Sequence, residues 1–214
     1  MNRKERFEQV DLYPVTCEAL SEGRGNLEVL DAVIVGGAKI VQLREKELSK
    51  RAFHSMASAF RKRCTEAGLL FIVNDHLDVA LSVGADGVHL GQDDFPLPEA
   101  RRLAPDLLLG ASTHTREQAL AAARDGADYY NIGPIYPTGT KEHLSEFLGP
   151  EAVPGISQGI DLPFTVMGGI KHGNVEPLLE RGARRIAVVT EITKAQHMVL
   201  AVKRMIQIIR AAGP

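Results

Sequence analysis

The chain has 214 residues, 44% of them apolar, with no Trp, two cysteines and a formal net charge of −2. That length suffices for one large domain or two small ones, and the charge implies no general affinity for nucleic acid or an anionic membrane. No apolar run approaches a membrane span, and Cys17 and Cys64 make neither a metal-ligand spacing nor a disulfide framework, so a reducing cytoplasm is expected.

The first ten residues, MNRKERFEQV, are charged and lack an apolar core, so they read as a polar extension and not as a signal peptide. Leu12 to Thr16 is the first strand. Asn26 is placed to cap a helix carrying Leu27, Leu30, Val33 and Ile34, which Gly36 and Gly37 stop. Lys39 to Leu43 is the second strand, ending in Gln42, Arg44, Glu45 and Lys46. Ser49 opens a long helix that runs to Gly68. Leu70 to Val73 is a buried strand that breaks off at Asn74 and Asp75, and a helical pattern follows through Leu77, Ala80 and Leu81. Gly87 to Leu90 is the fourth strand, ending in Gly91, Gln92, Asp93 and Asp94.

Pro96 or Pro98 starts the next helix, which ends before Pro105. Leu107 to Leu109 is the fifth strand, followed by Gly110, Ala111 and Ser112. Thr115 and Gln118 have capping-box spacing. Asp128 to Ile132 is the sixth strand, and residues 133–150 form a long loop. Leu162 to Met167 is the seventh strand, ending in Gly168, Gly169 and Ile170. A helix through Val175, Leu178 and Leu179 leads to the eighth strand, Arg185 to Val189, and a terminal helix covers about Gln196 to Arg210. Eight strands at this spacing, with no linker, indicate an α/β protein: a single (β/α)8 TIM barrel. Gly-Ala recurs before the strands at Gly37, Gly84, Gly126 and Gly182, which marks the repeated unit and not a catalytic motif.

In such a barrel the chemistry lies at the C-terminal ends of the strands. There the chain offers Gln42, Arg44 and Lys46, then Asn74 and Asp75, then Asp94, then Ser112 and His114, then Thr138, Thr140 and Lys141, and finally Gly169, Val189 and Thr190. Carboxylates on adjacent strand ends suit a hard cation such as Mg²⁺, and the cations suit phosphate oxygens. Asn and Asp are also common helix caps, which is the plainer reading of each pair alone. The Gly168-Gly169 turn is read as a phosphate cradle with a helix N-terminus directed at it. His89 is expected to be a satisfied core histidine, His114 either a rim base or a helix-entry residue, and Glu45 a group orienting Arg44 or Lys46. No Walker, HExxH or cysteine-rich zinc pattern occurs.

Val41-Gln42-Leu43-Arg44-Glu45-Lys46, Val73-Asn74-Asp75, the run from Ala85 to Asp94, Gly133-Pro134-Ile135-Tyr136-Pro137-Thr138 with Thr140-Lys141, Gly168-Gly169-Ile170 and Val188-Val189-Thr190 occur in this order. With them the chain resembles the thiamine phosphate synthase family. The resemblance implies a TIM barrel that joins a hydroxymethylpyrimidine pyrophosphate to a thiazole phosphate, with Mg²⁺ and without a protein nucleophile. It implies that Gln42, Arg44, Lys46, Asn74, Ser112 and Lys141 hold the pyrimidine pyrophosphate, with Arg44, Lys46, Ser112 and Lys141 acting in catalysis. Asp75 and Asp94 would hold the metal. Thr138, Thr140, Gly169, Val189 and Thr190 would hold the thiazole phosphate. Thr190, Glu191 and Met167 depart from the family pattern, and Glu191 adds a negative charge near that phosphate. A thiazole tautomerase on the same barrel and a non-catalytic phosphate-binding regulator are the alternatives. The sequence leaves open whether the chain forms a homo-oligomer.

Overall fold

In the computed structural model, which describes residues 1–139 and 147–213, the apolar runs become parallel strands joined by helices. The chain enters through α1 (Arg3–Glu8), then β1 (Leu12–Thr16), α2 (Asn26–Gly36), β2 (Ile40–Leu43), α3 (Lys50–Glu66), β3 (Leu70–Asn74), α4 (Leu77–Val83) and β4 (Gly87–Leu90). It continues through α5 (Leu97–Leu103), β5 (Leu108–Thr113), α6 (Arg116–Arg124), β6 (Tyr129–Ile132), α7 (Ala152–Ser157), β7 (Phe164–Met167), α8 (Glu176–Glu180), β8 (Ile186–Val188), α9 (Thr190–Thr193) and α10 (Met198–Ala211). The strands pair in sequence order, all parallel, and β8 returns to β1, so the sheet closes as a (β/α)8 barrel. No helix among the described residues is long and apolar enough to cross a membrane.

Strand side chains alternate, and the alternation divides the core in two. Leu12, Val41, Leu43, Phe71, Val73 and Val88 face outward and pack under the helices. Tyr13, Val15, Ile40, Leu70, Ile72, Leu108 and Tyr129 fill the barrel interior. The first ten residues are more than a polar extension. Phe7 on α1 is 1% exposed, joins the interior cluster and stacks on Tyr129 at 4.3 Å between ring centroids, so it plugs the end of the barrel opposite the C-terminal ends of the strands.

The Gly-Ala echo has a structural reason. Gly84 and Gly126 end their helices with positive φ, and the next Asp turns its carboxylate onto the neighbouring strand. Asp86 Oδ2 accepts from the Phe71 amide at 2.9 Å, and Asp128 Oδ2 from the Leu109 amide at 2.9 Å. Arg61 pairs with Asp86 and Arg101 with Asp128, while Arg3 and Lys4 at the start of the chain reach the same two carboxylates.

Two helix starts differ from expectation. Asn26 lies inside α2, whose N-cap is Gly25, because the Asn26 amide is buried and donates to Glu45 at 2.7 Å. Thr115 caps α6 as expected, yet Gln118 accepts from the His114 amide, not from Thr115, so only half of the capping box forms. Ser49 caps α3 through the Ala52 amide as expected.

Candidate active site

One cavity opens at the C-terminal ends of the strands, and strand alternation builds its floor. The last inward residue of each strand, or the one just past it, reaches it: Val15, Gln42, Asn74, His89, Ser112, Asn131, Met167 and Val189 all line the cavity. Of these, Val15 and Asn131 were not singled out in the sequence, although Asn131 stands two residues after the inward Tyr129 and its direction follows from the period of two. Asn131 Oδ1 accepts from Thr165 Oγ1 at 2.8 Å, which fixes the amide. His89 is the satisfied core histidine expected, with 8% exposure, but it is also part of the cavity wall.

The paired carboxylates are not caps. The N-cap of α4 is His76, with no side-chain cap bond, and that of α5 is Pro96. Asp75 has φ of 61°, a left-handed conformation that Asp tolerates better than most residues. The turn is held by His76 N donating to Asn74 O at 2.7 Å and Asp75 N donating to His89 O at 2.9 Å. Parallel pairing of β3 with β4 puts Asp75 beside Asp94. Burial pushes the Asp94 carboxyl above its usual range, and its hydrogen bond with Asp75 pushes it further. Gly91 N also donates to Asp94 Oδ2, at 2.6 Å. Two carboxylates this close together fit a divalent cation. Among the described residues no cluster of three His, Cys, Asp or Glu side chains forms, so further ligands would be water and substrate oxygens, as Mg²⁺ commonly accepts.

The cations stand around this pair. Lys46 Nζ bonds Asp75, and Arg44 Nη1 lies 3.6 Å from Cys17 Sγ at the end of β1. Glu45 orients neither. It is 8% exposed and accepts from the Glu18 amide at 2.6 Å and from Asn26, holding the loop after β1 against β2. His114 combines both expected placements: it lines the cavity just before α6, with Nδ1 2.5 Å from Gly133 O. Thr138 lines the cavity, whereas Thr140 and Lys141 lie outside the described residues.

Gly168, Gly169, Val189 and Thr190 line the far side. No helix begins directly at the glycines, since α8 starts only at Glu176, so the expected helix N-terminus is not directed at this turn. The glycines are required by packing. A Cβ on Gly168 would lie 2.7 Å from Pro134 Cα, and one on Gly169 would lie 2.5 Å from Pro137 O. Lys171 Nζ reaches Thr190 Oγ1 at 3.0 Å and Glu191 Oε2 at 3.2 Å, and the His172 amide and ring also bond Glu191. The extra negative charge of Glu191 is thus engaged by its own neighbours.

A family profile described as thiamine monophosphate synthase matches residues 12–192. The chain is 43% identical over 203 residues to a thiamine-phosphate synthase of Shouchella clausii, covering 94% of this chain and 97% of that one. It is 44% identical over 194 residues to a thiamine-phosphate synthase of Chloroflexus aurantiacus, covering 91% and 90%. Among solved structures, a thiamine phosphate pyrophosphorylase from Pyrococcus furiosus superimposes with a TM-score of 0.89 at 31% identity, over 100% of both chains.

Proposed function

The chain belongs to the thiamine monophosphate synthase family, and from that premise we propose how its rim site forms thiamine phosphate. The activity is that of a thiamine-phosphate synthase, a transferase acting on phosphorylated small molecules. In the proposed reaction a hydroxymethylpyrimidine pyrophosphate loses pyrophosphate as its C–O bond breaks, and the bonding electrons leave with the pyrophosphate. The electron-rich pyrimidine stabilises the resulting carbocation. The nitrogen of a thiazole phosphate then forms the new C–N bond, and no protein nucleophile is needed.

The observation that carries this reading is the facing pair Asp75 and Asp94 beside Lys46 and Arg44 on one rim. Asp75 and Asp94 would hold Mg²⁺, which when bound neutralises charge on the departing pyrophosphate. Arg44, Lys46 and Lys141 supply cationic donors to the same oxygens. Gln42, Asn74 and Ser112 orient the pyrimidine half. Thr138, Thr140, Gly169, Val189 and Thr190 would seat the thiazole phosphate. The free, buried thiols Cys17 and Cys64 accord with a reducing cytoplasm.

Substitution of the pair tests the reading. Asp75→Ala and Asp94→Ala should each lose turnover at least about a hundredfold while keeping the wild-type circular dichroism spectrum, as loss of a preorganised charge at a developing anion does. Near-normal turnover in both variants, or turnover indifferent to Mg²⁺, would contradict it.

A further inference from the structure

A hydrogen-bonded chain runs beneath the cavity floor from one substrate-facing residue to another. Gln42 Nε2 donates to Tyr13 Oη at 3.0 Å, and Tyr13 Oη lies 2.8 Å from Tyr129 Oη. Tyr129 Oη lies 3.1 Å from His89 Nδ1, and His89 Nε2 lies 3.0 Å from Ser112 Oγ. The five residues come from β2, β1, β6, β4 and β5, so the chain crosses the barrel interior. Gly110 makes room for its centre, because a Cβ there would collide with the Tyr129 ring and with His89 Nδ1.

Proton counting gives this chain a direction. The Gln42 amide nitrogen only donates, so Tyr13 Oη accepts from it. Tyr13 then donates its hydroxyl proton in a hydrogen bond to Tyr129 Oη, and the Tyr129 hydroxyl donates to His89 Nδ1. The ring proton of His89 is therefore on Nε2, where it donates to Ser112 Oγ. Ser112, accepting there, has its own proton left for the cavity that it lines. In the reverse order Tyr13 Oη would receive from both Gln42 and Tyr129, and its own proton would have no acceptor within the chain. Burial pushes both phenols up, so neither hydroxyl ionises near neutral pH.

We propose that Tyr13 and Tyr129 are positioning residues that set the direction of this chain, hold His89 as the neutral Nε2–H tautomer and make Ser112 a fixed donor to a substrate oxygen. A fixed donor suits an acceptor-only group such as a phosphate or pyrophosphate oxygen. It disfavours a competing group that can only donate. The identity of the substrate rests on the function proposed above; the order of the chain does not.

The experiment reads both parts separately. In protein labelled with ¹⁵N at histidine and free of substrate, long-range ¹⁵N–¹H NMR should show His89 protonated at Nε2 alone, the signal being assigned by its loss in His89→Gln. Tyr129→Phe removes the donor to Nδ1 and should give a mixture of tautomers. Tyr13→Phe removes the proton that orients the Tyr129 hydroxyl and should likewise give a mixture of tautomers. In turnover, Tyr129→Phe should lower kcat/KM about fivefold to tenfold, the size of one neutral hydrogen bond. The same change made in Ser112→Ala should cost nothing further, because both act through one hydroxyl. A purely structural tyrosine would lower activity equally in both backgrounds. Wild-type His89 found as Nδ1–H or as imidazolium, or additive losses in the double variant, would overturn the proposal. If the expected tautomers are seen but no thiamine phosphate forms, the chain order stands and the function reading falls.

Discussion

Asp94 shows how a single residue links the fold to the chemistry. Burial and Asp75 raise its pKa in the folded protein, so the folded state keeps the proton to higher pH than the unfolded chain does. Stability from this group is therefore full below the unfolded carboxylate range and is lost as pH rises through the raised value. Ionising Asp94 as pH rises in Mg²⁺-free buffer therefore works against folding. Asp94→Asn should accordingly raise the thermal midpoint at pH 7 in that buffer while abolishing turnover. The gain should vanish below about pH 4, where the unfolded carboxyl is protonated too. Thermal melts at both pH values check this, and an unchanged or lowered midpoint at pH 7 would contradict it.

At the scale of elements, the turn after β7 is the segment whose geometry is most exacting. Gly169 has φ of 61°, and an added Cβ would meet Pro137 O at 2.5 Å and Tyr136 Cβ at 2.9 Å. Gly169→Ala should therefore destabilise the protein by about 1–3 kcal/mol through strain alone. If the turn seats the thiazole phosphate, KM for that substrate should rise while KM for the pyrimidine pyrophosphate stays put. Equal changes in both would point to a general collapse of the rim. The strands themselves were readable because their apolar runs are short and bounded by Gly, Asp and Asn. β1 and β4 have the expected limits, and the others shift by one or two residues at their ends or, for β5, extend to Thr113. The caps were less readable. Asn26 and Gln118 have the right residue types, but Asn26 is taken by the buried Glu45 and Gln118 by the nearby His114 amide. Asn74 and Asp75 look like caps in sequence, and only their left-handed turn and the neighbouring strand show otherwise.

At the scale of the molecule, the barrel is sealed from below by a segment that composition alone made look dispensable. Phe7 hides one aromatic ring among five charged residues within the first ten, and no periodicity reveals it. Its stacking on Tyr129, with the Arg185 guanidinium 5.5 Å from its ring centre, makes it part of the core. Phe7→Ala should cost about 3–5 kcal/mol. The variant should still unfold in one transition, since the strands share one continuous closed sheet. Two separated transitions in calorimetry would argue against a single cooperative unit.

The site follows from the same sheet, because parallel closure brings residues as distant in sequence as Gln42 and Thr190 to one rim. The central claim is that this rim joins two phosphorylated substrates with the help of a cation held by Asp75 and Asp94. The most direct measurement incubates the purified protein with hydroxymethylpyrimidine pyrophosphate and thiazole phosphate, with Mg²⁺ or with a chelator, and quantifies thiamine phosphate and pyrophosphate. Equimolar release of both products with Mg²⁺, and loss of both with chelator, is the predicted result. Pyrophosphate without thiamine phosphate, or product formation unaffected by the chelator, would contradict it.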